Sequence, residues 1–490
     1  MNKTVKQKNV AVSVSWQLIE RIFSAVIQFV LSVIIARLVL PEEYGIISVI
    51  TVFITLADLL VNAGFGTALI QQKEITEEDV ASVFTFSTVL SVILCGLLVV
   101  CAPFIAGFYK EPLIKPVLQI YSLGIWPFAV YGLLRSLLMK NLEFKKMCIV
   151  SVSALVTSGI AGVLIALAGG GVYALTFQSL INSVLGMCLL FLVTKWRPRL
   201  KINRVRTKKL WKYGWKLMIS NLVDTAYKSI YTLCVPKFFG NRLSGYYNYG
   251  RQIPNVIVST LNSTMVTVMF PFFAKEQSNL EDVKKSLRKT IRSYCFVSFP
   301  IMAGIMGTAD LIIYILLGAK WMPAAKYLAF FCFIYGLQPV QNINFQAISA
   351  RGQSGIYLKY ELLKKGLGIG GLIISLPLGM DWLMWGQVAV ILISMLLNVM
   401  PNKRWLNYTL REQIKDILPY VLTAGLMYAA VKAADTGMQG MNQYVRAASE
   451  VFLGIAVYVG VSFAIVREDV LSVWHIIRRN SVKSGEGGKS

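Results

Sequence analysis

Charged residues are scarce in this sequence. They account for 15% of its 490 residues, whereas hydrophobic residues account for 56% and the mean hydropathy is +0.61. Soluble proteins carry about 25% charged residues, so a soluble core could not absorb this excess of apolar side chains. The composition predicts an all-α polytopic membrane protein.

Histidine is nearly absent as well. His475 is the single histidine and lies in the C-terminal tail, which excludes a Ser/His/Asp triad and a histidine metal site within the membrane. The seven cysteines are odd in number and scattered, so they do not predict a disulfide framework. A G-x-G-x-x-G run at 366–371 has no strand before it, which favours close helix packing over dinucleotide binding. We therefore expect neither an enzyme nor a cofactor.

Apolar stretches long enough to span a bilayer recur along the whole chain. The sequence predicts about fourteen of them, and the eleventh is the shortest because it lies between Lys365 and Asp381. We expect that helix to begin inside the amphipathic 358–364 segment. The predicted spans are 12–36, 45–68, 81–106, 116–134, 148–168, 172–194, 214–237, 252–273, 293–317, 327–349, 366–380, 382–400, 416–434 and 447–466.

Acidic residues are outnumbered, with 24 Asp and Glu against 49 Lys and Arg and a net charge of +25. Of the basic residues, 37 fall on the side of the predicted spans that holds both termini, 10 fall on the other side and 2 lie within spans. Because cytoplasmic loops are enriched in Lys and Arg, both termini are predicted to be cytoplasmic. The charge is chiefly a topology signal, with anionic membrane lipids as secondary partners. No nucleic-acid partner is expected.

An internal repeat is indicated by a shift of 200 residues, which aligns 36–45 with 236–245 and Asn62 with Asn262. Spans 1 and 7 both begin on the cytoplasmic side, so the repeats would be related by an axis along the membrane normal. The sequence thus predicts two pseudo-symmetric six-helix lobes plus two C-terminal helices. The predicted segments are an N-lobe at 1–194, a basic cytoplasmic linker at 195–216, a C-lobe at 217–400, spans 13 and 14 at 401–466 and a cytoplasmic tail at 467–490.

Polar residues recur at three- and four-residue spacing inside five spans, so each set lies on one helix face. At the 200-residue shift, the stripes of spans 1 and 2 nearly superimpose on those of spans 7 and 8. The stripe residues are Gln17, Glu20, Arg21, Ser24 and Gln28 in span 1; Thr51, Thr55, Asp58 and Asn62 in span 2; Asn221, Asp224, Thr225 and Lys228 in span 7; Arg251, Asn255, Ser259 and Asn262 in span 8; and Gln338, Asn342, Gln346 and Ser349 in span 10.

Six ionisable groups lie in or at the edge of these spans, and their charges sum to zero. Leaving all six in lipid would cost on the order of 15–20 kcal/mol, more than the stability of a typical fold. Internal ion pairing accounts for single residues, and Asp224 and Lys228 have the i, i+4 spacing for it. Matching stripes in both lobes favour instead a shared central cavity that binds a substrate. The six groups are Glu20, Arg21, Asp58, Asp224, Lys228 and Arg251.

The N-terminal residues resemble the signature of bacterial polysaccharide flippases. The resemblance rests on residues 16–21, I-I-A-R-L at 34–38, P-E-E-Y-G at 41–45, then Asp58, Gly64 and A-L-I-Q at 68–71. These flippases are the Wzx and teichuronic-acid exporter type of the multidrug/oligosaccharidyl-lipid/polysaccharide exporter superfamily. The family's fold implies two six-helix lobes, with spans 1, 2, 7 and 8 lining the cavity.

The resemblance implies a flippase in the bacterial cytoplasmic membrane that moves a polyprenyl-diphosphate-linked oligosaccharide to the outer leaflet for capsule, exopolysaccharide or O-antigen assembly. Neutral amides and hydroxyls suit a sugar chain, and cations suit a diphosphate. Transport could couple to the membrane potential, H⁺ or Na⁺, and a polysaccharide polymerase is an expected partner. The candidate substrate-binding residues are Arg21, Gln28, Asp58, Asn62, Asn221, Asp224, Lys228, Arg251, Asn255, Asn262, Gln338 and Asn342, with Trp126, Tyr131 and Tyr227 as aromatic faces for the sugars.

Two alternatives stay open at this point. A drug or cation antiporter of the same superfamily would have a more apolar pocket and a dominant acidic site, whereas the stripes are rich in amides, Arg and Lys. A non-transporting scaffold of a polysaccharide assembly complex would use the polar stripes only to hold helices together.

Overall fold

The computed structural model describes residues 3–62, 76–199, 204–275, 280–350 and 354–467. Gly64 and residues 68–71 of the N-terminal signature, as well as His475, lie outside these ranges. The chain forms two compact units, Met1–Gly245 and Tyr246–Ser490. The boundary between them falls inside helix α9, and the predicted lobe and linker boundaries stay predictions.

Helices make up almost all of the described chain. The first unit contains α1 (Lys3–Leu38), α2 (Pro41–Asn62), α3 (Glu77–Tyr109), α4 (Ile114–Ser122), α5 (Ile125–Lys140), α6 (Phe144–Leu167), α7 (Val172–Thr194), α8 (Arg204–Phe239) and the start of α9 (Asn241–Lys275). The second contains the rest of α9, then α10 (Leu280–Gly307), α11 (Ala309–Leu317), α12 (Ala324–Ala350), α13 (Ser354–Ser375), α14 (Met380–Leu406), α15 (Leu410–Gly437) and α16 (Gln443–Ile465).

The prediction of an all-α polytopic membrane protein is confirmed. Within the described ranges, nine segments are long and apolar enough to cross a membrane, and α10 with α11 forms a tenth that is bent by 69°. Large side chains such as Phe104 and Phe452 remain 73% and 75% exposed, which suits contact with lipid rather than water.

Four further helices, α8, α9, α12 and α13, have spanning length and are not among these segments. Three of them carry the predicted polar stripes of spans 7, 8 and 10. With these four helices, every one of the fourteen predicted spans corresponds to a helix or to a pair of consecutive helices. The polar stripes mark these three helices as candidate substrate helices.

Two predicted boundaries differ from the structure. Span 11, predicted at 366–380, corresponds to α13, which already begins at Ser354 and ends at Ser375. The amphipathic residues before Lys365 are helical, and Pro377 follows in a short 3₁₀ turn at Leu376–Leu378. The basic linker predicted at 195–216 is helical from Arg204, because α8 continues without a break from there into the span.

Each unit is held together by packing between neighbouring spans. In the first unit, α6 packs against α7 and α1, and α8 packs against α2 and α3. In the second, α10 packs against α15 and α12. Two helices begin with a capping box, formed by Thr76 and Asp79 on α3 and by Thr409 and Glu412 on α15. These caps satisfy backbone N–H groups at the helix ends.

A buried ion-pair cluster joins α10 to the start of α15. The fully buried Asp416 carboxylate accepts hydrogen bonds from Arg288 Nε at 2.7 Å and from Arg292 Nε at 3.0 Å. The Tyr408 hydroxyl donates to the same carboxylate at 2.8 Å. A buried charge requires such compensation, so this cluster fixes how the two helices pack.

Candidate functional site

The stripe of α1 is divided between buried and exposed positions. Glu20 is buried, and its Oε1 accepts a hydrogen bond from Arg135 Nη2 on α5 at 3.0 Å. Arg21 and Gln28 are exposed, and Ser24 is half-buried. The acid of this stripe is therefore neutralised inside the first unit, while the neighbouring Arg21 stays open to the surroundings.

Asp58 and Asn62 on α2 lie together, as their spacing predicts. Asn62 Nδ2 donates to Asp58 Oδ1 at 2.5 Å. Asn62 rests against Gly132 on α5, where an added Cβ would come within 2.8 Å of Asn62 Oδ1. Glycine at 132 thus lets the polar tip of α2 approach α5 closely.

Asp224 and Lys228 on α8 form the ion pair that the i, i+4 spacing allows, with a distance of 2.6 Å from Lys228 Nζ to Asp224 Oδ2. Both side chains are exposed, and Asn221 on the same helix is exposed too. The ion-pair interpretation is thus confirmed for this pair, and the charge of Lys228 is locally balanced.

Arg251 on α9 is oriented by aromatic hydroxyls. Its Nε donates to the Tyr335 hydroxyl on α12 at 3.0 Å. One turn earlier on α9, the Tyr247 hydroxyl donates to Gln387 Oε1 at 3.2 Å. A phenol hydroxyl that accepts from the guanidinium fixes its orientation. Further along α9, Asn255 is exposed and Asn262 is half-buried.

Helix α12 carries polar groups on two faces. Gln338 and Asn342, which the sequence predicted, are half-buried, whereas Gln341 and Asn344 are fully buried. The side chain of Gln346 lies outside the described residues. Because the second face carries the same three-residue spacing, the sequence did contain its signal, although we assigned only the first face.

The buried face of α12 belongs to a cluster of amides. Asn402 Nδ2 donates to Asn344 Oδ1 at 2.7 Å, and Asn344 Nδ2 donates to Gln413 Oε1 at 3.2 Å. Asn398, one turn before Asn402 on α14, is buried with neither side-chain amide atom hydrogen-bonded within the described part of the chain. The cluster joins α12, α14 and α15 through hydrogen bonds, which add to the apolar packing between these helices.

Arg135 is a charged residue that the predicted spans left out. The predicted span 116–134 ends one residue before it, but α5 extends to Lys140 and places Arg135 inside a candidate span. Its Nε also contacts the Met147 sulfur at 3.4 Å. Adding Arg135 to the six ionisable groups of the striped spans changes the sum of their charges from zero to +1.

Aromatic residues proposed for sugar stacking have internal partners in the first unit. Trp126 Nε1 donates to Thr88 Oγ1 at 3.3 Å, and the Tyr131 hydroxyl lies 3.0 Å from Ser151 Oγ. Trp126 nevertheless keeps 38% of its surface exposed. Trp126 is therefore the more accessible of the two rings.

An apolar pocket that opens to the surface lies in the second unit. It is bounded by α10, α12 and α15 and lined by residues such as Phe299, Gly336 and Gly425. Among the described residues, no group of three or more His, Cys, Asp or Glu side chains could hold a metal ion. The candidate site therefore consists of amides, guanidiniums and a few paired acids, and the cavity shared by both lobes stays a prediction.

Comparison with known proteins tests the resemblance. The family described as polysaccharide biosynthesis protein matches residues 34–326. The chain is 22% identical to the lipopolysaccharide biosynthesis protein WzxC of Escherichia coli (strain K12) over 378 residues, or 76% of each chain. It is 23% identical to the teichuronic acid biosynthesis protein TuaB of Bacillus subtilis (strain 168) over 464 residues, or 92% of this chain and 94% of TuaB.

Solved structures with the same fold are membrane transporters. The lipid II flippase MurJ in an inward closed conformation aligns with a TM-score of 0.75 and 16% identity, covering 93% of this chain and 100% of MurJ. An inward-facing multidrug resistance MATE family transporter aligns with a TM-score of 0.60 and 14% identity, covering 77% of this chain and 95% of the transporter. These matches confirm the fold, and the sequence relatives confirm the resemblance to polysaccharide flippases. Because the family match extends over more than half of the sequence, this chain belongs to the polysaccharide biosynthesis protein family.

Proposed function

We propose that this protein moves a polyprenyl-diphosphate-linked oligosaccharide from the inner to the outer leaflet of the bacterial cytoplasmic membrane by alternating access. The relatives named for lipopolysaccharide and teichuronic acid biosynthesis support a polysaccharide precursor as the cargo. The charge count supports cytoplasmic termini and therefore this orientation. The exported unit would serve capsule, exopolysaccharide or O-antigen assembly.

The observation that carries the proposal is the position and hydrogen bonding of Arg251. Its guanidinium lies on a spanning-length helix, where an uncompensated charge facing lipid would be costly. The Tyr335 hydroxyl on α12 accepts a hydrogen bond from Nε at 3.0 Å and so fixes the orientation of the guanidinium. A guanidinium fixed in this way binds phosphate oxygens in a defined geometry.

The neutral polar residues suit the rest of the cargo. Exposed amides of Gln28, Asn221 and Asn255 offer both donors and acceptors, which the hydroxyls of a sugar chain require. Asp58 is held by Asn62, so a strong acidic cation site of the kind a drug or cation antiporter needs is less developed here. The cargo's lipid tail would stay in the bilayer.

The membrane potential is the simplest driving force for this cargo. Outward movement of an anionic head group across an inside-negative membrane gains about 2.3 kcal/mol per charge per 100 mV. The acids Glu20, Asp58 and Asp224 would instead be the groups to couple H⁺ or Na⁺. We favour the potential because Glu20 and Asp224 are both engaged in ion pairs.

The test is flipping of a fluorescent polyprenyl-diphosphate-linked sugar in vesicles containing the purified protein. We expect flipping that increases with an imposed potential, and a loss of at least tenfold on Arg251→Ala and on Arg21→Ala with normal folding. If the flipping rate does not change with the imposed potential but depends on a pH or Na⁺ gradient, transport is coupled to an ion and not driven by the potential. Misfolding of both variants, with no flipping by the wild-type protein, would favour the scaffold.

A further inference from the structure

Arg135 and Glu20 form an ion pair of unequal exposure inside the first unit. The Glu20 side chain is 5% exposed, whereas the Arg135 side chain is 37% exposed. If the pair served only to neutralise a buried carboxylate, both of its side chains could be buried. The guanidinium of Arg135 is therefore accessible to a partner outside the protein chain.

The hydrogen bonds of Arg135 leave one edge of its guanidinium open. Nε contacts the Met147 sulfur at 3.4 Å, and Nη2 donates to Glu20 Oε1 at 3.0 Å. Arg carries five N–H donors, so both hydrogens of Nη1 and the second hydrogen of Nη2 have no acceptor among the residues that the structure describes. The free hydrogens point along the Nη1–Nη2 edge, which is one of the two edges that binds an oxyanion with two parallel hydrogen bonds.

Arg135 lies on a helix, close to other residues of the candidate site. Gly132 lies one turn earlier on the same face of α5, where it contacts Asn62 of the Asp58–Asn62 pair. Glu20, which holds the guanidinium, precedes the exposed Arg21 on α1. Helix α5 therefore contacts both stripes, through Arg135 to α1 and through Gly132 to α2.

The charges of the first unit show why a further cation matters. Glu20, Arg21 and Asp58 alone sum to −1 and would repel an anionic head group. Arg135 cancels the charge of Glu20 and still presents donors outward. In the predicted orientation it lies near the cytoplasmic end of α5, about one turn before Lys140, where a substrate from the inner leaflet would enter.

We propose that Arg135 is a diphosphate-binding residue of the first unit and that Glu20 is its positioning residue. The inference rests on the proposed function and names a group for the head group of that same cargo. Glu20 and the Met147 sulfur fix one edge of the guanidinium, and the open edge binds two oxygens of the diphosphate.

The test measures binding of geranylgeranyl diphosphate and geranylgeranyl monophosphate to the purified full-length protein in nanodiscs. The wild-type protein should prefer the diphosphate. Arg135→Gln and Arg135→Lys should each weaken diphosphate binding at least tenfold and reduce the preference over the monophosphate. Lys146→Gln is the matched control, because it removes a positive charge that is paired with Glu143 on the same helix turn, and it should leave both affinities within twofold.

A charge exchange separates binding from a merely structural ion pair. The double variant Glu20→Arg/Arg135→Glu keeps a pair of opposite charges, so we expect it to recover the thermal stability lost in Arg135→Gln without recovering diphosphate binding. Recovery of both properties, or unchanged affinity in Arg135→Gln and Arg135→Lys, would overturn the proposal. If the exchanged variant does not fold, Arg135→Lys decides alone, since it keeps the charge and removes only the fork.

Failure of this inference is distinguishable from failure of the proposed function. If wild-type vesicles flip the lipid-linked sugar and the Arg135 variants flip it equally well, only the role of Arg135 is wrong. If wild-type vesicles flip no lipid-linked sugar, the proposed function fails whatever the binding assay gives.

Discussion

Gly45 and Gly245, which are 200 positions apart, make reciprocal backbone contacts in the first unit. A Cβ added at Gly45 would lie 2.0 Å from the Asn241 carbonyl oxygen, and one added at Gly245 would lie 2.0 Å from the Pro41 carbonyl oxygen. The first turns of α2 and α9 therefore cross with their backbones in contact. Asn241 and Pro41 are themselves 200 positions apart, so the contact has the symmetry of the predicted repeat.

Replacing either glycine by alanine should destabilise the protein. The atom that the new methyl group would meet is a backbone oxygen, which cannot rotate away, so we expect a loss of about 2–3 kcal/mol in the free energy of unfolding. Thermal unfolding in detergent measures it. Gly96→Ala on α3 is the control, because a Cβ there meets nothing within 4 Å and alanine favours helix. Equal stability of Gly45→Ala and Gly96→Ala would contradict the contact.

Replacing Asp416 should be the most destabilising charge change at the junction of α10 and α15. Asp416→Asn removes the charge that Arg288 and Arg292 both bind, and a broken buried pair costs about 3 kcal/mol. Chemical unfolding would show the loss. Asp282→Asn is the control because Asp282 is exposed and its ion pair with Lys285 is long, at 3.9 Å, so a loss of less than about 1 kcal/mol is expected.

Tyr408 should make stability depend on alkaline pH. It lies between α14 and α15, and burial, together with the nearby Asp416 carboxylate, raises the pKa of its hydroxyl above the ordinary value. Above about pH 10 the unfolded chain ionises this tyrosine while the folded chain keeps it neutral, so stability should fall as pH rises. The fall should be smaller in Tyr408→Phe when the two proteins are compared between about pH 9 and pH 11. Parallel curves would show that Tyr408 ionises freely.

Two asparagines on α14 should respond differently to replacement by leucine. Asn402→Leu breaks the 2.7 Å bond to Asn344 and leaves a buried amide oxygen unpaired, which costs about 1–3 kcal/mol. Asn398→Leu removes two buried amide atoms that have no partner within the described ranges, so we expect a neutral or stabilising effect. Calorimetry of both variants makes the comparison. A similar loss at Asn398 would indicate an ordered water bound there.

Removing the Asp224–Lys228 pair should affect flipping less than removing Arg251. The pair is exposed and internally balanced, so Asp224→Asn/Lys228→Gln should retain at least half of the wild-type flipping rate and lose less than about 1 kcal/mol of stability. Arg251→Gln, which also replaces a cation by an amide, is the comparison. If the double variant flips as poorly as Arg251→Gln, Lys228 belongs to the binding groups after all.

Local residue patterns predicted much of this protein. The spans could be predicted from apolar runs. A helix that crosses lipid must be largely apolar whichever helices pack against it. The Asp224–Lys228 and Asp58–Asn62 contacts were readable for a similar reason, since residues four apart on a helix are neighbours before any tertiary packing. The 200-residue shift aligns only a few identical residues. The aligned glycines Gly45 and Gly245 nevertheless both lie at a backbone contact.

The sequence alone determined the class of protein, the number of spans and the polar faces, because helical periodicity and bilayer thickness are local constraints. Only the tertiary structure decided which charges are partners. Arg135 lies 115 positions from Glu20, and nothing in the spacing of either helix predicts that they meet. Such ion pairs depend on which helices pack side by side. The free energy that selects this packing comes from contacts throughout the unit and not from any single helix.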